Sequence, residues 1–322
     1  MTTKLLFTCL SLCMAVLATS SCATKPVQAN ETSRQISPIA LIAPATITPA
    51  ATNQPALTST PFLITTPRVL QPDPQPVTFK TSDGTELHGY YYPAAVNPAP
   101  LVVMMHWAGD DMSAWYEVAV WLQNRGMKNP FPNPGDPLQF RWWDPTWFPE
   151  VPADKSYGVF IFTFRGCSPF ITGCLKFDSA GWLEDAQAAM VTARELEGVD
   201  PNKIVAIGSS IGGDGAADGC LYLQNLYPGA CRGALSLSPD SYLTLRYDKV
   251  ITELGQAEPP IAVWCLAAPF QFAPCKRAEN TGNTAYASYE IPNGQHGTSL
   301  LRPDLDPLPM QLILEFLDKV FQ

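Results

Sequence analysis

The chain has 322 residues, 46% of them apolar and 15% charged. This composition can bury a sizeable core and excludes a chain that is disordered throughout. The net charge of −9 comes with no basic cluster, so nucleic acid is not an expected partner.

Residues 1–21 have the layout of an export signal: Lys4, an apolar run over 5–17, then the small residues Ala18, Thr19, Ser20 and Ser21. The apolar run is too short to span a bilayer unaided. Small residues directly before Cys22 resemble the lipobox of bacterial lipoproteins, with Thr19 where leucine is usual. That resemblance implies a lipid on Cys22 as the sole membrane attachment. The alternative is plain secretory cleavage, and both readings export the protein to a cell-surface, periplasmic or extracellular location. Residues 22–75 are rich in Pro, Thr and Ala without helical or strand periodicity, which predicts a disordered tether.

From residue 76 the character changes. Runs over 77–80 and 86–92, joined through Ser82-Asp83-Gly84, predict a β-hairpin. The continuous apolar runs 101–106 (LVVMMH) and 157–164 (YGVFIFTF) predict buried strands, with helical spacing over 112–125 between them. A helix is expected over 180–196, a short strand over 203–207 after the turn Asp200-Pro201-Asn202, and a helix over 211–226. Strands are expected at 233–238, 261–267 and 286–291, and a closing helix at 311–321. Alternating strands and helices imply a mostly parallel central sheet with helices on both faces, one domain over 76–322. One stretch breaks the alternation: residues 128–155 hold seven prolines with Trp142, Trp143, Trp147, Phe131, Phe140 and Phe148. A loop of this length and aromatic load is read as a cap over a site or as surface covering.

Nine cysteines are present; Cys9 and Cys13 fall in the signal and Cys22 would carry lipid. Six remain, in three close-spaced couples, and an even remainder in an exported chain suits a disulfide framework. Of the possible connectivities the local one is favoured: Cys167–Cys174, Cys220–Cys231 and Cys265–Cys275. Metal binding is disfavoured, because no Cys-x2-Cys pair occurs and only three histidines exist. No cofactor motif appears.

The strongest chemical signal is Gly208-Ser209-Ser210-Ile211-Gly212, placed between an expected strand and an expected helix. That context is what a nucleophile elbow requires, and only Ser210 has glycines two residues to either side. A serine needs a base. His88 lies in the first hairpin and His106 in the loop after a strand. His296, in Asn293-Gly294-Gln295-His296-Gly297 after the last strand, is the expected base. The main-chain N–H groups of Ile211 and Trp107 are the expected oxyanion donors.

HWAGDD after a buried strand, GSSIGGDGAADG and a late QHG resemble the α/β-hydrolase superfamily, nearest its dienelactone-hydrolase-like and prolyl-oligopeptidase-like branches. The resemblance covers 76–322 and implies the α/β-hydrolase fold and serine-hydrolase chemistry on a small ester or peptide-like substrate. The family's usual aspartate after the seventh strand is missing. Pro269-Phe270-Gln271-Phe272 stands there, with Gln271 at the usual place. Asp240, after the sixth strand, is the expected acid, with Gln271, Glu279 or no third member as alternatives. A non-catalytic binding protein on a degenerate scaffold is the competing function.

Overall fold

The computed structural model describes residues 69–131, 145–168 and 173–322. The export signal, Cys22 and the tether up to residue 68 lie outside the described residues, as do 132–144 of the aromatic insertion. The packed chain starts before residue 76. Leu70 is buried, the Leu70 carbonyl accepts from Arg125, and the Pro72 carbonyl accepts from Gln123.

Strand β1 (Gln75–Lys80) pairs antiparallel with β2 (Glu86–Tyr92), closing the expected hairpin. The continuous apolar runs become β3 (Ala99–Met105) and β4 (Gly158–Phe162), and every residue of β4 is buried. A short 3-10 turn leads into helix α1 (Tyr116–Gln123) between them. Helix α2 (Ser179–Glu195) starts where Asp178 accepts from the Gly181 N–H, a side-chain cap for an otherwise unpaired donor. Next come β5 (Val199–Ser209), α3 (Ile211–Leu226), β6 (Cys231–Leu237) and β7 (Ala262–Ala267). The chain closes with β8 (Tyr286–Glu290) and helix α6 (Pro309–Val320).

Strand β5 begins earlier than the sequence pattern suggests. Val199 already pairs with Ala99, and the register shifts over the next residues, where Pro201 has no N–H to give. Two short helices escape the sequence reading, α4 (Tyr247–Leu254) and α5 (Ala273–Ala278). Helix α5 has six residues, too few turns for periodicity to stand out, whereas α4 carries helical spacing at Tyr247, Val250, Ile251 and Leu254 that the sequence reading passed over.

The sheet order is β1-β2-β4-β3-β5-β6-β7-β8. From β4 onward every neighbouring pair is parallel, and only β1–β2 and β2–β4 run antiparallel. Helices α2, α3 and α4 pack one face around Trp182, Met190, Leu223 and Ile251. Helices α1 and α6 pack the other around Trp115, Leu122, Phe316 and Leu317. Burying both faces is what gives the strands their unbroken apolar runs.

All three expected disulfides are formed: Cys167–Cys174, Cys220–Cys231 and Cys265–Cys275. They fit an oxidising compartment outside the cytoplasm. Among the described residues, no helix is long and apolar enough to cross a membrane. The described ends of the aromatic insertion pack beside α1. The Pro149 carbonyl accepts from Trp121 at 2.7 Å, and the Phe131 ring lies 4.7 Å from that of Tyr116 and 4.5 Å from that of Tyr90. Trp142, Trp143 and Phe140 lie outside the described residues.

Candidate active site

In a parallel sheet every strand delivers its following loop to the same edge, and ligands gather there. The loops after β3, β5, β6, β7 and β8 carry, in turn, Trp107, Ser210, Tyr242, Gln271 and His296.

Ser210 sits between β5 and α3 with φ 54° and ψ −116°, a conformation that L-residues rarely hold. The two glycines around it are forced by contact. A Cβ on Gly208 would meet the Gly212 carbonyl oxygen at 1.9 Å, and one on Gly212 would meet the Met105 carbonyl oxygen at 2.3 Å. The turn is therefore tight against both itself and β3. Ser210 is buried, and its N–H donates to the Leu237 carbonyl at 2.8 Å. Ile211 occupies the first helical position, so its N–H has no intrahelical acceptor.

The loop after β3 is held by His106. This residue is fully buried; its Nδ1 lies 2.7 Å from the Trp107 carbonyl, and its Nε2 accepts from the Phe164 N–H at 3.0 Å. Because Nε2 accepts, Nδ1 must be the protonated nitrogen that donates. Burial pushes the pKa of His106 down to about 4, against the opposing pull of the Trp107 carbonyl and Asp111. His106 is thus a neutral brace. Its own carbonyl lies so close to the elbow that a Cβ on Gly212 would come within 2.6 Å of it, so the loop that carries Trp107 packs against the turn at Ser210. The Cys167–Cys174 ribbon backs this loop, with the Cys174 N–H donating to the Ala108 carbonyl at 2.9 Å.

His296 is reached through β8. The Gly297 N–H donates to Ser238 Oγ at 3.2 Å, and Leu300 and Leu301 are buried just beyond. Ser210 and Gly297, the residue after His296, are consequently tied to two consecutive residues, Leu237 and Ser238, at the end of β6. The Trp107 ring stands edge-on to His296 at 5.6 Å and the Tyr242 ring at 6.5 Å. Tyr242 also reaches Ser210, whose hydroxyl offsets part of the rise that burial gives the phenol's pKa. Its main chain is fixed by Asp214 on the first turn of α3, which accepts the N–H of Tyr242 at 2.6 Å and that of Asp240 at 3.0 Å. Nothing in the sequence pattern marks Tyr242. Asp214 could be suspected only from its place four residues after the serine, inside an apolar helix.

The expected acid is corrected. His296 Nδ1 donates to Gln271 Oε1 at 2.9 Å. Gln271 lies in the short turn that follows β7. Asp240 does not reach the imidazole, because its carboxylate points to solvent and lies 3.6 Å from Arg277. Only its backbone serves the site, through Asp214. Glu279 is spent on Lys276 and Ser288. His88 sits on the exposed hairpin beside Thr78 and Glu86.

With an amide rather than a carboxylate beside it, His296 has its pKa lowered, and burial is the cause. The bond to Gln271 holds the proton on Nδ1 and leaves Nε2 as the basic nitrogen. Such an arrangement can accept a proton from a neighbouring hydroxyl, but it lends the resulting imidazolium no negative charge.

Of the comparisons with known proteins, those with solved structures bear on the scaffold. No family model matches the chain. A curated protein of Escherichia coli K12, the uncharacterized YfhR, is 26% identical over 158 residues, 47% of this chain and 44% of YfhR. A Salmonella typhimurium YfhR is 25% identical over 43% of this chain and 37% of its own length, so less than half of either relative is spanned. Among solved structures, the carboxylesterase EstE1 from a metagenomic library has TM-score 0.51 at 13% identity, covering 80% of this chain and 92% of its own. The 2,6-dihydroxy-pseudo-oxynicotine hydrolase has TM-score 0.53 at 12% identity, covering 78% and 69%. The sheet order, the elbow and these likenesses together establish the α/β-hydrolase fold.

Proposed function

We propose that the chain is an exported serine hydrolase that cleaves carboxylic esters, and amides more weakly, through Ser210, His296 and Gln271. The observations that support this reading are the strained backbone of Ser210 at the turn between β5 and α3 and the 2.9 Å bond between His296 and Gln271. Ser210 Oγ attacks the substrate carbonyl carbon while His296 Nε2 takes the hydroxyl proton. The N–H groups of Ile211 and Trp107 receive the oxyanion. The tetrahedral adduct collapses, the bond to the leaving alcohol breaks, and His296 returns the proton to that alcohol. Water then attacks the acyl-serine with the same base and releases the acid.

Gln271 sets the tautomer but adds no charge, so esters with good leaving groups suit this site better than amides. Trp107 and Tyr242 flank the imidazole, and Phe270, 72% exposed, stands next to Gln271, which favours an apolar or aryl group on the substrate. Likeness in fold to a carboxylesterase makes ester cleavage the first reaction to assay. In this reading Cys22 carries a lipid, the Pro-, Thr- and Ala-rich segment read over 22–75 is a tether up to the packed residues around Leu70, and 128–155 contributes a cap. No cofactor or nucleic acid takes part.

The missing carboxylate favours one rival, a binding protein on a hydrolase scaffold. A fluorophosphonate probe separates the two. Labelling of the folded mature protein that vanishes in Ser210→Ala supports the enzyme. Folded protein that stays unlabelled at neutral pH refutes it.

A further inference from the structure

We propose that the Cys265–Cys275 disulfide is a positioning device that holds Gln271 against His296. The proposal rests on the reading of Ser210, His296 and Gln271 given above. The turn Pro269–Gln271 leaves β7 without burying any of its residues, and Phe270 beside Gln271 points to solvent. Its main-chain bonds, Gln271 N–H to the Ala268 carbonyl at 2.9 Å and Phe272 N–H to the Pro269 carbonyl at 3.4 Å, are internal. They set the shape of the turn and not its place. Placement must come from the two ends.

One end is β7, buried throughout. The other is α5, whose six residues are too few to persist as an isolated helix. The disulfide ties Cys275 in this helix back to Cys265 in β7, the strand from which the turn leaves. The ring so closed spans a sequence separation of 10 and contains Gln271. The Tyr286 hydroxyl adds a bond to the Cys275 carbonyl at 2.9 Å.

Chemistry explains why this turn needs such a hold. A carboxylate attracts an imidazolium as the inverse of distance and still acts after a small displacement. A neutral amide acts only as a hydrogen-bond acceptor, and that bond weakens steeply beyond about 3.2 Å or off axis. Replacing charge with an amide transfers the burden from electrostatics to geometry. The Cys220–Cys231 bond makes a useful contrast. It is buried in the same core as Cys265–Cys275, but it joins α3 to β6 and the loop it closes, between residues 220 and 231, holds no residue of the site.

The test compares Cys265→Val/Cys275→Ala with Gln271→Ala, with the triple variant, and with Cys220→Ala/Cys231→Ala as control. At a temperature where all are folded, kcat/KM for a p-nitrophenyl ester should fall in the Cys265/Cys275 variant by the factor seen for Gln271→Ala, about two- to tenfold. Adding Gln271→Ala to it should cost nothing more, and the Cys220/Cys231 variant should keep its rate while losing stability. A Cys265/Cys275 variant with unchanged kcat/KM, or losses that multiply in the triple variant, would overturn the proposal. Cys275→Ser alone gives the same comparison if the first variant does not fold, since it leaves the strand untouched.

A second readout does not depend on turnover. The 15N-labelled imidazole of His296 should show a protected Nδ1–H signal in the native protein that exchanges rapidly once this disulfide is absent. Persistence of that signal overturns the positioning role even in an inactive protein. Absence of fluorophosphonate labelling with the signal intact overturns the catalytic reading alone.

Discussion

Gln271→Glu is the most informative single change to this site, because it supplies a charge at constant shape. His296 is half-buried and bonded at 2.9 Å to a neutral oxygen, so its pKa is lowered from the usual histidine range. In the proposed reaction the base must be neutral to act, so a lowered pKa should sustain activity as pH falls and place the acid limb of kcat/KM below that of an ordinary histidine. A carboxylate at the same distance stabilises the imidazolium, and an adjacent opposite charge moves a pKa by about one unit or more. The acid limb should therefore move up by about one pH unit. On the plateau, exchanging a neutral hydrogen bond for a charge-assisted one adds about 1 kcal/mol, or roughly a fivefold gain. Gln271→Ala instead removes a bond worth about 0.5–1.5 kcal/mol net, a fall of about two- to tenfold. Steady-state pH profiles with a p-nitrophenyl ester measure all three proteins, and Asp240→Asn should match the parent. An unmoved acid limb in Gln271→Glu, or a loss in Asp240→Asn larger than in Gln271→Ala, would refute this account.

Three further outcomes follow from the scaffold. Arg165 donates to the fully buried Asp185 at 2.7 Å and to Asp83 at 2.6 Å, so Arg165→Met strands a buried carboxylate and should cost about 3–5 kcal/mol. Calorimetry should show a Tm lower by on the order of 10 °C, and Asp185→Leu added to it should recover part of the loss. Gly208→Ala and Gly212→Ala should fail to give soluble protein, since their new methyls would lie 1.9 and 2.3 Å from main-chain atoms. Gly215→Ala, facing the movable Met105 sulfur at 3.1 Å, should fold and keep its fluorophosphonate labelling. For His106 the folded pKa, about 4, lies below the unfolded value. Its stabilising contribution is thus present above about 6.5 and lost as pH falls towards 4, about 3 kcal/mol in all. Urea titrations should show the parent losing stability over this window relative to His106→Gln. The buried Asp214, whose pKa burial pushes up to about 7, changes in the opposite sense but equally in both proteins, so it cancels in the difference.

The sequence by itself determined the fold and marked the turn at Ser210. Strands buried on both faces must be apolar throughout, which made β3, β4 and the later strands legible as unbroken runs. The elbow was legible because only glycine avoids the contacts at 208 and 212, so the turn writes itself into the chain as a pattern. Three close cysteine couples marked their own pairing, because short loops bring their ends together. The tertiary structure alone decided which side chain His296 meets. Asp240 and Gln271 both follow strands that end at the same edge, and spacing along the chain does not say which way a side chain points. Asp240 turns to solvent and Arg277, while Gln271 meets His296 across a sequence separation of 25. Tyr242 was invisible for the same reason: its place beside Ser210 and His296 is set by hydrogen bonds from its backbone to Asp214, and backbone bonds leave no trace in residue type. Helix α5, too short to show periodicity, carries Cys275, whose bond to Cys265 closes the loop that holds Gln271.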